Sequence, residues 1–228
     1  MMNYFATFDI DNTLIQSSTG HMQALLVAIK EIYGLDARID VINHHGMTDQ
    51  EIILSILEKY EIDPKIRRVR LNKCMDLMQQ HYTRIVESEN LVILEGVIDL
   101  MTKLGQSEFL LGLVTGNLES IAQAKLRKIG INHFFKVGGF GSDHSNRANL
   151  VKIAIKRAEK HFGFDRNSRI FHFGDALQDM RAAREAGVIP VGVTTGIFSA
   201  DELQTAGAYK VFPSLKDTDD IIQFMLNA

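Results

Sequence analysis

Cysteine is almost absent: Cys74 is the one thiol in 228 residues. An intramolecular disulfide is therefore impossible, and a cysteine-based zinc site would lack its ligands. That usage fits a reducing compartment, and the expected location is cytoplasmic. No apolar run approaches the roughly 18 residues that span a bilayer. The stretch Met1–Leu14 carries Asp9 and Asp11 where a secretion signal would need unbroken apolar residues. A surplus of charge is missing too: the formal net charge is −3 and the pI about 6.2. Neither nucleic acid nor an anionic membrane is an expected partner. The short basic cluster Lys65–Arg70 is interleaved with apolar residues and reads as the wet face of a helix. Internal repeats and low-complexity segments are absent as well.

What is present is globular in character, with 46% hydrophobic and 23% charged residues. A chain of this length buries roughly 70% of its unfolded surface and needs no staples. It has room for one large domain or two small ones.

Apolar, β-rich runs occur at Tyr4–Phe8, Phe109–Val114, Arg169–Phe173, Ile189–Val193 and Tyr209–Phe212, with a weaker one at Lys136–Phe140. Continuous runs of this kind suit strands buried on both faces, as in a parallel sheet. Between them, Gly96–Leu104, Leu118–Ile129, Asn149–His161, Asp179–Ala186 and Ile221–Leu226 show helical spacing, and Gly105, Gly130 and Gly187 stand where C-caps belong. Strand alternating with helix predicts an α/β fold with helices on both faces of the sheet. The stretch from about Ser17 to Asn90 differs, offering only the helices His21–Tyr33, Gln50–Tyr60 and Pro64–Glu87. Gly34 would end the first, Thr48 or Asp49 would N-cap the second, and Pro64 suits the first turn of the third. The expected organisation is an α/β core, residues 1–16 and 90–228, with an inserted all-helical domain at 17–89. Cys74 falls in the third helix and reads as buried and inert.

In an open α/β sheet the ligand site lies beyond the carboxyl ends of the strands. Asp9, Thr115 and Asp175 each stand at such an end, with Asp11 two residues beyond Asp9 and Asp179 four beyond Asp175. Each acid alone could be a cap or turn residue; four acids converging with a threonine are hard to read that way. Four carboxylates on one edge repel unless a cation joins them, and a hard divalent ion with oxygen ligands, Mg²⁺, is the expected cofactor. Such a set suits phosphoryl transfer. One carboxylate attacks phosphorus, and a second moves protons to the leaving oxygen and from water. A hydroxyl such as that of Thr115, with a cation, can hold the transferring oxygens.

These motifs resemble those of the haloacid dehalogenase-like superfamily, in its phosphoglycolate phosphatase-like branch. They are DxDxT at Asp9–Thr13, the strand-ending Thr115 in Leu113–Asn117, and GDxxxD at Gly174–Asp179. Gly46–Asp49 resembles the substrate-facing loop of that family's helical cap. Leu94–Val97 resembles the cap exit, with Glu95 where a proline is usual. The likeness spans essentially the whole chain and implies a Rossmann-like core beneath a helical cap. It implies Asp9 as nucleophile and Asp11 as general acid/base. Mg²⁺ would be held by the Asp9 carboxylate, the Asp11 main-chain carbonyl and Asp175, with Asp179 holding the metal's waters. Thr115, Gly116 and Asn117 would bind phosphate. The family's third motif, a lysine commonly followed by proline, is missing from Gly141–Arg147. Arg147, just before the helix at Asn149, is expected to take its place, with Lys152 a turn into that helix as the competitor. His21, His45 and Thr48 are candidates for cap or substrate contacts, and His44–His45 reads as a loop pair near the cap entrance.

The resemblance implies a Mg²⁺-dependent phosphatase acting on a small-molecule phosphate monoester; for assembly, a monomer and a homodimer both stay open. Asp11 speaks against carbon–halogen chemistry, because the dehalogenase branch lacks that second acid. Two alternatives stay open. His21 stands where sugar phosphomutases of the β-phosphoglucomutase type place a cap-hinge histidine. A non-catalytic phospho-acceptor or sensor would use the same acid pocket without turnover.

Overall fold

The computed structural model describes residues 3–16 and 18–228. Met1, Met2 and Ser17, on which the reading of the N-terminus and the expected start of the helical insert fall, lie outside the described residues. Six strands, β1 (Tyr4–Phe8), β2 (Phe109–Thr115), β3 (Val137–Phe140), β4 (Arg169–Gly174), β5 (Ile189–Val193) and β6 (Lys210–Phe212), form one parallel sheet in the order β3-β2-β1-β4-β5-β6. The apolar runs map onto these strands because both faces are covered: β2 is buried along its whole length. Strand order reverses at the central β1, which places the crevice for a ligand above its carboxyl end, at Asp9.

Between β1 and β2 the chain runs through α1 (Thr19–Tyr33), α2 (Asp49–Lys59), α3 (Pro64–Ile85) and α4 (Val97–Gly105). α5 (Glu119–Lys128) follows β2, α6 (Arg147–Phe162) follows β3, and α7 (Leu177–Ala186) follows β4. α8 (Ala200–Ala206) lies between β5 and β6, and α9 (Thr218–Asn227) closes the chain. On one sheet face α4, α5 and α9 pack Leu100, Leu126 and Ile221 against Ala6, Phe8, Leu111 and Phe173. On the other, α6 and α7 pack Leu150, Val151 and Ala183 against Phe5, Leu110 and Ile170. The period-2 alternation of β1 divides its side chains between these cores.

The helical block α1–α3 has a third core, which includes Leu25, Ile29, Ile53, Leu57, Cys74, Met78 and Tyr82 and continues onto Leu118, Ile121 and Ala124 at the start of α5. The block therefore sits on α5. Its caps follow the sequence. Gly34 ends α1 in the left-handed region and returns its N–H to Lys30. Thr48 N-caps α2 in a capping box with Glu51. Asp63 caps α3 ahead of Pro64. The two chain segments joining block and sheet pair with each other: Gln16 N donates to Val92 O at 2.8 Å and Leu94 N to Leu14 O at 3.0 Å.

Several boundaries differ from expectation. Gly105 is the last helical residue of α4, and Gln106 is its C-cap. α6 begins at Arg147, because Asn146 accepts the Asn149 N–H and so caps two residues earlier than the apolar spacing suggested. α7 begins at Leu177, so Asp179 is its third residue. α8 was not expected; its signal is the capping box Ser199–Glu202 followed by left-handed Gly207. Cys74 is fully buried, and burial pushes its thiol up to about 12. The native protein is expected to leave a thiol reagent unreacted at neutral pH, with one thiol appearing on denaturation. A fast native reaction would contradict that burial.

Candidate active site

A cavity of about 330 Å³ lies between the carboxyl edge of the sheet and the helical block. From the sheet side Asp9, Asp11, Gly116, Asn117, Arg147 and Asp175 line it. From the block come His21, Met22, His44, His45, Met47, Asp49 and Ile52. The loop before α2 comes close because residue 116 is glycine: a Cβ there would lie 2.5 Å from Met47 O. Gly196 does the same for Asp175, whose Oδ2 would lie 1.9 Å from an added Cβ.

Asp9 follows the last residue of β1, its N–H held by Phe173 O at 2.9 Å. Its carboxylate pairs with Arg147 at 2.7 Å, while Arg147 Nε meets Asp179 at 2.6 Å. The first residue of α6 thus places a buried guanidinium across two acids from different strand ends, and its NH1 donates to Gly46 O in the block at 3.2 Å. Asp179 lies beneath this pair, fully buried. It accepts the Ala176 N–H at 3.1 Å and faces His172 Nε2 at 3.2 Å, whose other nitrogen meets Thr7 Oγ1 at 3.0 Å. Asp179 is at once the acid that closes the start of α7 and part of the site.

Carboxylate oxygens of Asp9, Asp175 and Asp179 lie within 4.8 Å of one another. Burial, opposed by Arg147 but reinforced by Asp179 and Asp11, pushes Asp9 up to about 6. Burial, Asp9 and Asp179 push Asp175 up to about 8. Burial would also raise Asp179, but Arg147 and His172 outweigh it and hold that carboxyl below its usual range. The same acids hold Arg147 charged against its own burial. With all four carboxylates ionised, four negative charges would face two cationic side chains, Arg147 and Lys125, leaving the cluster two positive charges short of neutral. Hard oxygen donors with that deficit fit a divalent cation.

Asp11 is held separately. Lys125 Nζ donates to both of its oxygens, at 2.8 and 2.7 Å, and Asn117 Nδ2 donates to Oδ2 at 2.8 Å. Burial alone would raise Asp11, but the Lys125 ammonium outweighs it and the carboxyl sits below its ordinary value. Asn117 Nδ2 also reaches Thr115 Oγ1 at 3.0 Å.

Of the expected residues, Asp9, Asp11, Gly116, Asn117, Arg147, Asp175, His21 and His45 share the cavity wall. Arg147 is the first residue of α6 rather than a residue preceding it. Lys152 points away, half exposed, toward Glu185 at 3.6 Å. Thr115 is fully buried beneath Gly116 and Asn117 and is not part of the wall. Thr48 is not part of it either. Its hydroxyl is used in capping α2 and in a bond to Ser145 O at 3.2 Å, because a helix start needs its N–H groups satisfied. His44 and His45 stack at 4.7 Å in the loop facing the cavity, and burial and the neighbouring ring lower His44. Lys125 was not anticipated. Its signal was a lysine on the apolar stripe Leu118, Ile121, Ala122, where the spacing calls for another apolar residue.

Residues 6–193 match the model of the haloacid dehalogenase-like hydrolases. The chain belongs to that family. It is a hydrolase acting on phosphoric monoesters. It is 24% identical over 202 residues to a phosphoglycolate phosphatase of Synechococcus elongatus, covering 87% of each chain. A hydrolase from Pseudomonas syringae has the same fold, with a TM-score of 0.71 at 22% identity and coverage of 98% and 99%. So does a provisionally assigned beta-phosphoglucomutase from Thermotoga maritima, at 0.61 and 19%, covering 98% and 99%. The fold alone therefore does not choose between hydrolysis and phosphoryl migration. Among the described residues no helix is long and apolar enough to cross a membrane.

Proposed function

We propose that the chain hydrolyses a small-molecule phosphate monoester through an aspartyl phosphate on Asp9, with Mg²⁺ as cofactor. The observation that carries this reading is the Asp9–Arg147 pair at the foot of the cavity, flanked by Asp11, Asp175 and Asp179. Asp9 Oδ attacks phosphorus as the ester oxygen departs, and Asp11 relays to that oxygen a proton brought in by the monoanionic ester. Asp11 then takes a proton from water, the water oxygen attacks phosphorus, and the Asp9–phosphorus bond breaks to release phosphate. Arg147 steadies the transferring oxygens, with the Gly116–Asn117 segment beside it. Asp9, Asp175 and the Asp11 carbonyl would hold Mg²⁺, with Asp179 behind them; when bound, it offsets the repulsion between carboxylate and phosphate.

In this reading residues 17–89 are a cap over a core of 1–16 and 90–228, with the paired segments 14–16 and 92–94 as hinge. The cap shields the aspartyl phosphate from bulk water, and the cavity volume suits a small ester. Phosphoglycolate, the substrate named for the Synechococcus relative, is the first ester to try. A sugar phosphomutase is the second reading, favoured by the place of His21 beside Asp11 and Lys125. Against it, Arg147 is the only arginine or lysine among the described residues lining the cavity, which leaves one cation for one phosphate.

The test is phosphate release from a panel of small esters, with and without Mg²⁺. The expected result is Mg²⁺-dependent release over many turnovers, with small esters preferred. Conversion that requires a bisphosphate activator and frees little phosphate would support the mutase. A single phosphorylation event persisting for minutes would support a sensor.

A further inference from the structure

Lys125 is fully buried on α5. A lysine is almost never sealed in this way unless paired, since the ammonium gives up its hydration. Its three donors have three acceptors: Asp11 Oδ1 at 2.8 Å, Asp11 Oδ2 at 2.7 Å, and His21 Nδ1 at 3.1 Å. His21 in turn donates from Nε2 to Asp49 at 3.1 Å, and Asp49 accepts the Leu118 N–H at 2.8 Å, at the start of the helix that carries Lys125. The chain of contacts runs from α5 to α1, to α2, and back to α5. Tyr82 closes one side, its ring 6.0 Å from the ammonium and packed edge-on to His21.

The Asp11 side chain keeps 20% of its surface accessible and lines the cavity, whereas Lys125 keeps none. The lysine is shut off from a substrate in the cavity and acts through Asp11. With Asn117 Nδ2 on Oδ2 as well, the carboxylate is gripped from two sides and cannot swing.

We infer that Lys125 is a positioning residue for Asp11, fixing its carboxylate at the wall where it exchanges a proton with the ester's leaving oxygen. His21 and Asp49 orient the lysine for that task. This rests on the acid/base role of Asp11 in the proposed function, and the test separates the two.

Phosphoryl transfer to the enzyme is measured by rapid quench for two esters, with Mg²⁺ present. p-Nitrophenyl phosphate releases a phenolate that needs no proton, while glycerol phosphate releases an alkoxide that does. Lys125→Met is expected to slow transfer from glycerol phosphate about 100-fold and from the aryl ester about 10-fold less than that, with KM little changed. Lys125→Arg keeps the charge but not the three-way geometry; it is expected to show the same bias, smaller in size, and it carries the test should Lys125→Met not fold. Asp11→Asn is measured alongside and should show the bias in full. If both Lys125 variants slow the two esters equally while Asp11→Asn is biased, the lysine is only a structural partner and the inference falls alone. If Asp11→Asn shows no bias, the acid/base role fails and takes the inference with it.

Discussion

Asp9→Asn is expected to reduce phosphate release by at least about 1,000-fold while the protein stays folded. The amide has the shape of the carboxylate but not its nucleophilicity. The backbone there has its own anchors: Asp9 is positioned by its N–H bond to Phe173 and by the ladders of β1 with β2 and β4. The new carbonyl can still accept from Arg147, which lies 2.7 Å from the acid. The substitution also removes one negative charge from a buried cluster crowded enough to push Asp175 up to about 8. Without metal, thermal stability should therefore not fall. Phosphate release and a thermal melt check both halves; a variant that hydrolyses at the wild-type rate would remove Asp9 from the chemistry.

Arg147→Ala is expected to lower turnover by 100-fold or more, on the order seen when a transition-state donor is removed. Lys152→Ala should leave turnover within about twofold, because its half-exposed ion pair lies on the surface. Arg147→Ala leaves Asp9 and Asp179 buried without their shared cation, and breaking a buried pair in this way costs about 3–5 kcal/mol. Loss of folding and loss of catalysis must therefore be separated. Arg147→Lys keeps the charge but gives up the planar fork that meets both acids. It should fold and still turn over at least about 10-fold more slowly than wild type, by the same reasoning about lost donors. Turnover lost in Lys152→Ala and kept in Arg147→Ala would reverse the assignment.

The elements that could be read from the sequence are those with a strong local signature. Strands covered on both faces show as unbroken apolar runs. Gly34, Thr48 and Pro64 mark helix ends by their own backbone or side-chain chemistry. The acids could be read because the edge of a parallel sheet gathers residues that follow strands, which brought Asp9 and Asp175 together from 166 residues apart. The features that escaped depend on tertiary contact. α8 is seven residues long, with Leu203 its one buried side chain, and so has no apolar stripe to detect. Thr48 has the type and loop position of a substrate contact, yet its hydroxyl is used in capping. Lys125 looks like an ordinary helix charge until the fold brings it against Asp11 and His21. The third-motif cation could be placed only as the first basic residue before a helix. That the residue is an N-terminal helical arginine reaching two acids became visible when Asn146 proved to be the cap.

Phosphorylation of Asp9 is tested most directly by quenching the enzyme with acid within milliseconds of adding a phosphate ester and Mg²⁺, and locating the phosphoryl group by peptide mass spectrometry. The expected result is a labile acyl phosphate on the peptide containing Asp9, formed at a rate that accounts for turnover and absent from Asp9→Asn. Full turnover with no phosphorylated peptide, or a phosphoryl group on any other residue, would contradict it.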